Sequence, residues 1–380
     1  MTRRKITVFT GSRADYGLLG SLLDALEQDP TVDDRLVAGG AHLLGTPPTI
    51  EQVARERTIQ SVVEMQADCS RTRRSDAESI GRGILSMTEV LAPDPPDFLV
   101  VLGDRIEVLA AATAAAVLGI RVAHVHGGDI ASGICDEGIR HAVTKLAHLH
   151  FPATTSSASR IESMGEPSDV IHMVGSPAVD DLSTFPVLDE VRWRELGAPR
   201  FLVLHHPVGD PDHVEQRRME LIVKTVAARG PSLVMAPNHD PGCTGIRIAL
   251  DSAPLPVLEH LPRAEFIGLL RRIEVLVGNS SAGLIECAAV GRPAVDIGTR
   301  QSGRERPRTV VHVDPLTGPA LDAALIEAES LRSVGPDDRF GSGDAGARIA
   351  RILADVPLEL VPLRKRWADP APNPEDIHRD

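Results

Sequence analysis

The stretch "HVHGGDIASGICDEGIRH", His124 to His141, sets imidazoles and carboxylates around a glycine-rich turn between an apolar run and an amphipathic one. Groups of these types exchange protons near neutral pH when their surroundings shift their affinities. His126, Asp129, Asp136 and Glu137 concentrate near that one turn, which packing alone does not call for, so the stretch reads as a proton-transfer site. The H-x-H pair His124 and His126 could suggest a metal, but no further ligand set converges on it in sequence and no metal is expected. In the helix that follows, Glu137 faces Arg140 at i+3 and His141 at i+4, an arrangement that holds the carboxylate with cations, while Ile139, Val143 and Leu146 form the buried stripe. His148 and His150, at the helix end, read as satisfied polar residues. Asp104, in "LGDR" after another apolar run, reads equally as a catalytic acid or base and as a cap of the next helix.

Three further stretches suit an anion. "GSRADYGLL", from Gly11, has a glycine-led turn at Ser12, the cation of Arg13 and a helix beginning near Asp15, where backbone N–H groups would meet a phosphate. "GNSSAGLIE" offers small residues at Gly278 and Asn279, hydroxyls at Ser280 and Ser281, and Glu286 about a turn and a half into a helix, placed to take both hydroxyls of a ribose. "GTRQSGRERPR" carries Arg300 and Arg304 in a loop that is either a solvated basic surface or a grip on a diphosphate. None of them has the dinucleotide or Walker pattern, so neither of those ligands is supported. Two anion-suited turns point to a nucleoside diphosphate lying across a cleft.

Short apolar runs must position these groups. "KITVF", "DRLVAGG", "DFLVVLG", "IRVAHVH" and "DVIHMVG", then "FLVLHH", "SLVMAP", "EVLVGN", "PAVDIG" and "TVVHV", alternate with helical patterns. That alternation predicts parallel sheets covered by helices, with ligands at the carboxyl ends of the strands. The polar motifs follow the strands as that rule requires. The proline-rich, charged run Ser183 to Arg200 interrupts the series, so the fold expected is α/β with two Rossmann-like domains and an interdomain cleft. The first domain spans 1–184, the second 185–355, and a C-terminal segment, 356–380, packs back on the first domain and then becomes disordered.

The chain has 380 residues, 42% of them hydrophobic and 24% charged, enough for two cores and ordinary for a globular protein. No apolar run is long enough to span a bilayer, and the N-terminus does not read as a signal peptide, so a cytoplasmic protein is expected. A formal charge of −13 excludes nucleic acid as a natural partner. Cys69, Cys135, Cys243 and Cys287 are scattered without C-x-x-C spacing and read as reduced thiols.

"GSRADYGLL", "GDR", "GGD…DEGIRHAVTKLAHLHF", "VGSP", "HHP", "VGNSSAGLIE" and "IGTRQSGRE" together resemble, in order and over nearly the whole chain, the hydrolysing UDP-N-acetylglucosamine 2-epimerases of sialic-acid and related nonulosonic-acid pathways. The resemblance implies the GT-B architecture, a last helix crossing back to the first domain, a homodimer or homotetramer, and no cofactor, neither nicotinamide nor metal. It implies a reaction in which UDP leaves C1 as the C2 proton is removed, giving a 2-acetamidoglucal, and water then adds with inversion to release N-acetylmannosamine. By the same resemblance Asp104 and Glu137 match acid/base carboxylates. Arg13, His206, Ser280, Ser281 and Glu286 match positions that hold UDP, and Arg304 matches a diphosphate contact. Arg140, in "DEGIRH", stands beside the acid/base carboxylate, and "NHDPG", with Asn238 and Asp240, resembles the family's "N-A-D-A-G".

The sialic-acid enzymes read "H-I-E-G-G-E" where this chain has His126 and Asp129, so one of these two must stand in for a glutamate if the reaction is the same. The alternatives are a nucleotide-sugar or nucleotide hydrolase without epimerisation, the same reaction on another nucleotide sugar, a GT-B glycosyltransferase, and a nucleotide-sugar binding protein without catalysis.

Overall fold

The structure is a computed structural model that describes residues 3–45, 47–66, 72–130, 136–238 and 240–368. Cys69, Cys135, His239 and the C-terminal tail, the segment expected to be disordered, lie outside the described residues, as does the side chain of Asp136.

The first sheet contains β1 (Arg4–Thr10), β2 (Val32–Gly39), β3 (Ser61–Val63), β4 (Phe98–Leu102), β5 (Arg121–Val125) and β6 (Leu149–Phe151). Its order is β3-β2-β1-β4-β5-β6, every pair parallel. The second contains β7 (Phe201–Leu204), β8 (Ser232–Met235), β9 (Val257–Leu258), β10 (Val275–Gly278), β11 (Ala294–Ile297) and β12 (Val310–Val313), ordered β12-β11-β10-β7-β8-β9 and again parallel. Strands covered on both faces need continuous apolar sequence, and β4, "FLVVL", is buried at every position. In each sheet the strand order reverses beside the first strand, and a crevice opens at the carboxyl end of such a switch point. "GSRADYG" and "GDR" flank the first switch, "HHP" and "GNSS" the second.

Three strands escape the sequence pattern: β3, β6 and β9 are only two or three residues long. "DVIHMVG" is not a strand. Ser168–Val170 forms a 3-10 turn, and Ile171 makes a single bridge to His150 of β6, which is the edge strand of the sheet.

The returning helix is Ala345–Asp355, inside the segment that sequence assigned to the second domain rather than within 356–380. Its buried Ala345, Ile349, Ala350 and Leu353 join a core with Leu19, Leu22 and Leu26 of the helix Arg13–Glu27. The spacing i, i+4, i+8 puts them on one stripe. The crossing is pinned by Asp180, whose carboxylate accepts the N–H groups of Ala345 at 2.9 Å and Gly346 at 2.7 Å and the hydroxyl of Ser21 at 2.8 Å. Truncating Ile349 to Ala would cost about 2–5 kcal/mol and loosen this seam. Residues 358–368 continue over the first domain: Arg121 donates to the carbonyl of Val361 at 2.5 Å and Ala368 N–H to that of Gly165 at 3.0 Å. Ala178, Val179 and Leu182 already pack in the second domain's core, so the two units interlock on both sides of residue 184.

Candidate active site

At the end of β4, the Asp104 carboxylate lies on the guanidinium of Arg140, which projects from the helix Asp136–Leu146. A second nitrogen of Arg140 donates to the carbonyl of His126 at 2.9 Å. Spacing set Arg140 against Glu137, and the structure corrects this: Arg140 shares the inner face of the helix with buried Val143 and Thr144, while Glu137 pairs with His141 at 3.0 Å on the more exposed face. Burial, then the cations Arg304 and Arg300, lower the proton affinity of Arg140.

His126 follows β5 with φ of 62°, the left-handed region that costs a non-glycine residue energy and that clusters at functional sites. Its Nδ1 lies 3.1 Å from Asp129 and its Nε2 2.8 Å from the hydroxyl of Ser176, and the ring is only 7% exposed. The other oxygen of Asp129 accepts the Ser157 hydroxyl at 2.6 Å. Burial alone would raise the Asp129 carboxyl, but the His126 ring, Arg304 and Ser157 outweigh it and bring it down to about 2. An ionised carboxylate only accepts, so Nδ1 of His126 carries a proton. His124 stands apart from this pair. Its Nε2 meets the carbonyl of Gly103 at 2.8 Å and its Nδ1 the Thr144 hydroxyl at 3.2 Å, and burial drives it down to about 3. Among the described residues no group of three or more His, Cys, Asp or Glu is arranged to hold a metal.

The turn after β1 differs from expectation. Its helix begins at Arg13, and the Asp15 carboxylate accepts the N–H groups of Gly11 at 2.8 Å and Ser12 at 2.7 Å together with the Ser12 hydroxyl. Donors expected to meet a phosphate are therefore taken by the helix's own capping residue. Burial lowers the proton affinity of Arg13, and the charge of Glu259 in the second domain raises it.

In the second domain, Asn279 clamps His206: its Oδ1 accepts the His206 N–H at 2.7 Å and its Nδ2 donates to the His206 carbonyl at 2.8 Å. Arg300 at 3.1 Å and Gln301 at 2.8 Å both donate to the Asn279 carbonyl. The His206 Nδ1 accepts the Asn238 N–H at 3.2 Å, and burial with the Arg300 cation pushes the ring down to about 3, so it is neutral and offers Nε2–H as a donor. Asn238 in turn holds Asp240. Gly278 is required by its own strand: a Cβ there would lie 2.0 Å from the Leu204 carbonyl oxygen, so its glycine is explained without a ligand.

Ser280 caps a 3-10 turn, Ser281–Gly283, and Glu286 opens the short helix Glu286–Ala289 instead of lying within a longer one. The small residues wind tightly and the regular helix starts only after them. Glu286 is 3.7 Å from Arg263, and burial raises its carboxyl. Arg304 reaches the first domain, donating to the Ile130 carbonyl at 3.1 Å and lying 3.9 Å from Asp129. Sequence reasoning missed Arg105, which approaches Asp240 at 3.5 Å across the cleft, as well as Ser157, Ser176 and Arg263. Arg105 and Ser176 sat inside the quoted motifs "GDR" and "VGSP"; Ser157 and Arg263 carry no pattern of their own.

Two parallel sheets facing across a cleft, with acid/base groups on one side and nucleotide-suited turns on the other, define an α/β enzyme of GT-B architecture. The chain belongs to the UDP-N-acetylglucosamine 2-epimerase family, whose model matches residues 24–354. It is 34% identical over 375 residues to UDP-N,N'-diacetylbacillosamine 2-epimerase (hydrolyzing) of Legionella pneumophila, covering 95% of this chain and 98% of that one. It is 31% identical over 382 residues to UDP-N-acetylglucosamine 2-epimerase of Neisseria meningitidis, covering 96% and 99%. In fold it is similar to the Methanocaldococcus jannaschii UDP-GlcNAc 2-epimerase solved with UDP-GlcNAc and UDP, at a TM-score of 0.78 and 20% identity, covering 92% and 99%. No helix among the described residues is long and apolar enough to cross a membrane.

Proposed function

We propose that the protein is a hydrolysing 2-epimerase that converts a UDP-2-acetamido sugar, UDP-N-acetylglucosamine or its diacetylated 6-deoxy relative, into UDP and the free C2-inverted sugar. The observation that carries this reading is Arg304, which reaches from the nucleotide-suited loop of the second domain to the carbonyl of Ile130 beside the His126–Asp129 pair. Acid/base groups and anion-binding groups thereby face one cleft, as an elimination that couples C2 proton removal to loss of a diphosphate requires.

In this scheme Arg13, Arg300, the neutral His206 and the Ser280–Ser281 turn take the diphosphate and Glu286 the ribose. These preformed donors stabilise the departing UDP without reorganisation. Asp104 and Glu137 carry proton transfers at the sugar. Of the two residues standing where glutamates are usual, Asp129 is held near 2 as an acceptor and serves to fix Nδ1–H of His126. Nε2, which holds the Ser176 hydroxyl, is the nitrogen left to exchange a proton. A sugar for nonulosonic-acid synthesis is the product this predicts, in a homodimer or homotetramer, which sedimentation equilibrium checks.

Proton NMR in deuterated water tests the reaction directly. Free UDP with a C2-deuterated, C2-inverted sugar is the expected outcome, and running both nucleotide sugars separates the two substrates. UDP with the undeuterated original sugar would replace the reading by simple hydrolysis.

A further inference from the structure

We infer that Glu107 is a positioning residue of the active site, a buried carboxylate that aims Arg105 across the interdomain cleft at the diphosphate of the substrate. The inference rests on the functional reading above only in requiring an anionic nucleotide in the cleft.

Glu107 lies in the first turn of the helix Ile106–Val117 and is 0% exposed. A carboxylate removed from water persists only with compensation. Its Oε1 accepts Gln66 Nε2 at 2.5 Å, and its Oε2 faces the Nε of Arg105 at 3.4 Å. The backbone is arranged around it. A Cβ at Gly11 would lie 2.5 Å from the Glu107 Cβ, and one at Gly40, where φ is +59°, would lie 2.4 Å from its Cγ. The glycine that leads "GSRADYGLL" thus makes room for this side chain rather than for a ligand. Two turns give up their side chains to admit one charge that does not itself reach the cleft.

What it serves is Arg105. That side chain is 26% exposed and approaches Asp240 of the second domain at 3.5 Å. Asp240 is held by Asn238, whose N–H meets His206. Burial chiefly lowers His42 and His206, and Arg105 adds a smaller effect on each. It therefore stands between the two strand-end clusters, beside the group proposed to donate to the diphosphate. The contact is an ion pair without a hydrogen bond, so it is charge that draws the Nε side of the guanidinium toward Glu107 and leaves the two Nη groups toward the cleft, where less side-chain freedom is lost when an anion arrives. Lysine, with one nitrogen, cannot face both the carboxylate and the cleft.

The test is a double-mutant cycle on the full chain with Glu107→Gln, Arg105→Gln and both, reading UDP affinity by calorimetry and kcat and KM on UDP-N-acetylglucosamine, with thermal unfolding of each variant. Glu107→Gln is expected to weaken UDP and raise KM by about tenfold, with a smaller change in kcat, and to add nothing on top of Arg105→Gln. Arg105→Lys, at a partly exposed position, is expected to weaken UDP by a similar factor without loss of fold, and it stands in if Glu107→Gln does not fold. Unchanged UDP affinity in Glu107→Gln or in Arg105→Lys, or a Glu107→Gln loss that adds in full to that of Arg105→Gln, would overturn the inference while leaving the epimerase reading intact. A wild-type protein that neither binds UDP nor releases it from the nucleotide sugar would overturn the epimerase reading, and this inference with it.

Discussion

The guanidinium of Arg140 lies on the carboxylate of Asp104, an ion pair that ties the end of β4 to the helix after β5, and the same side chain holds the His126 carbonyl. Asp104 and the backbone of His126 are thus fixed relative to each other through one buried cation.

Asp104→Asn keeps the side chain's shape and removes its capacity to exchange a proton. Turnover is expected to fall by about 10²–10⁴-fold. UDP affinity by calorimetry should change little, because the substitution leaves the groups proposed to hold the diphosphate, the neighbouring Arg105 among them, in place. A variant with near-normal kcat would remove Asp104 from the mechanism.

The His126–Asp129 pair makes a separate prediction. Asp129→Asn leaves a group that no longer demands Nδ1–H, so the ring can adopt the wrong tautomer, and the loss should approach that of His126→Ala. Both single variants are expected to lose on the order of 10²-fold or more in kcat, and the double variant little beyond either. Full activity of His126→Ala would mean that the histidine is there for packing.

Much of this site was legible because parallel strands advertise themselves as short apolar runs and their carboxyl ends are where polar motifs must lie. Asp104, His206 and Asn279 were found in that way. Side-chain partners were not legible. Helical spacing alone gives Arg140 to Glu137, and only the buried inner face of the helix gives it to Asp104. The Gly11–Ser12 turn matches a phosphate loop in sequence, yet Asp15 fills it, and no local pattern distinguishes a capping carboxylate from a ligand. Arg105 depends on Asp240, 135 residues away, and Arg263 on the Ala178 carbonyl, 85 residues away, and sequence spacing reveals neither contact.

Acid should destabilise the fold in two stages. Burial lowers His124 and His205 to about 3 and His148 and His260 to about 4, so between the ordinary histidine value, about 6.5, and those values the unfolded chain binds more protons than the folded one. Their contribution is present above about 6.5 and is lost as pH falls toward the folded values. Asp129 and Glu166, both held near 2, contribute above the ordinary carboxyl range and lose that contribution as pH falls through it to about 2. Urea unfolding midpoints at about pH 7.5, 6 and 5 should therefore decline in that order. A midpoint that stayed level would show that these histidines are protonated without cost in the native state.

The last prediction concerns a charge cluster away from the proposed chemistry. Glu166, 1% exposed, accepts Lys145 at 2.5 Å and Lys365 at 2.8 Å and meets His150 Nε2 at 3.1 Å. Burial would raise its carboxyl, and these three groups overcome that and lower it to about 2. Trp367 covers Lys145 with its ring 4.7 Å away, so the cluster fastens the C-terminal strap to the end of the helix that bears Glu137 and Arg140. Glu166→Gln leaves two partly exposed ammonium groups near a single amide and should cost about 1–3 kcal/mol in urea unfolding, less than a fully buried pair because water screens the lysines. Replacing Glu166, Lys145 and Lys365 together with apolar residues of similar volume should recover most of that loss, because the desolvation penalty disappears with the charges. A triple variant as unstable as Glu166→Gln would instead mean that the cluster's hydrogen bonds to the Met164 and Lys145 carbonyls, not its charge balance, hold the strap in place.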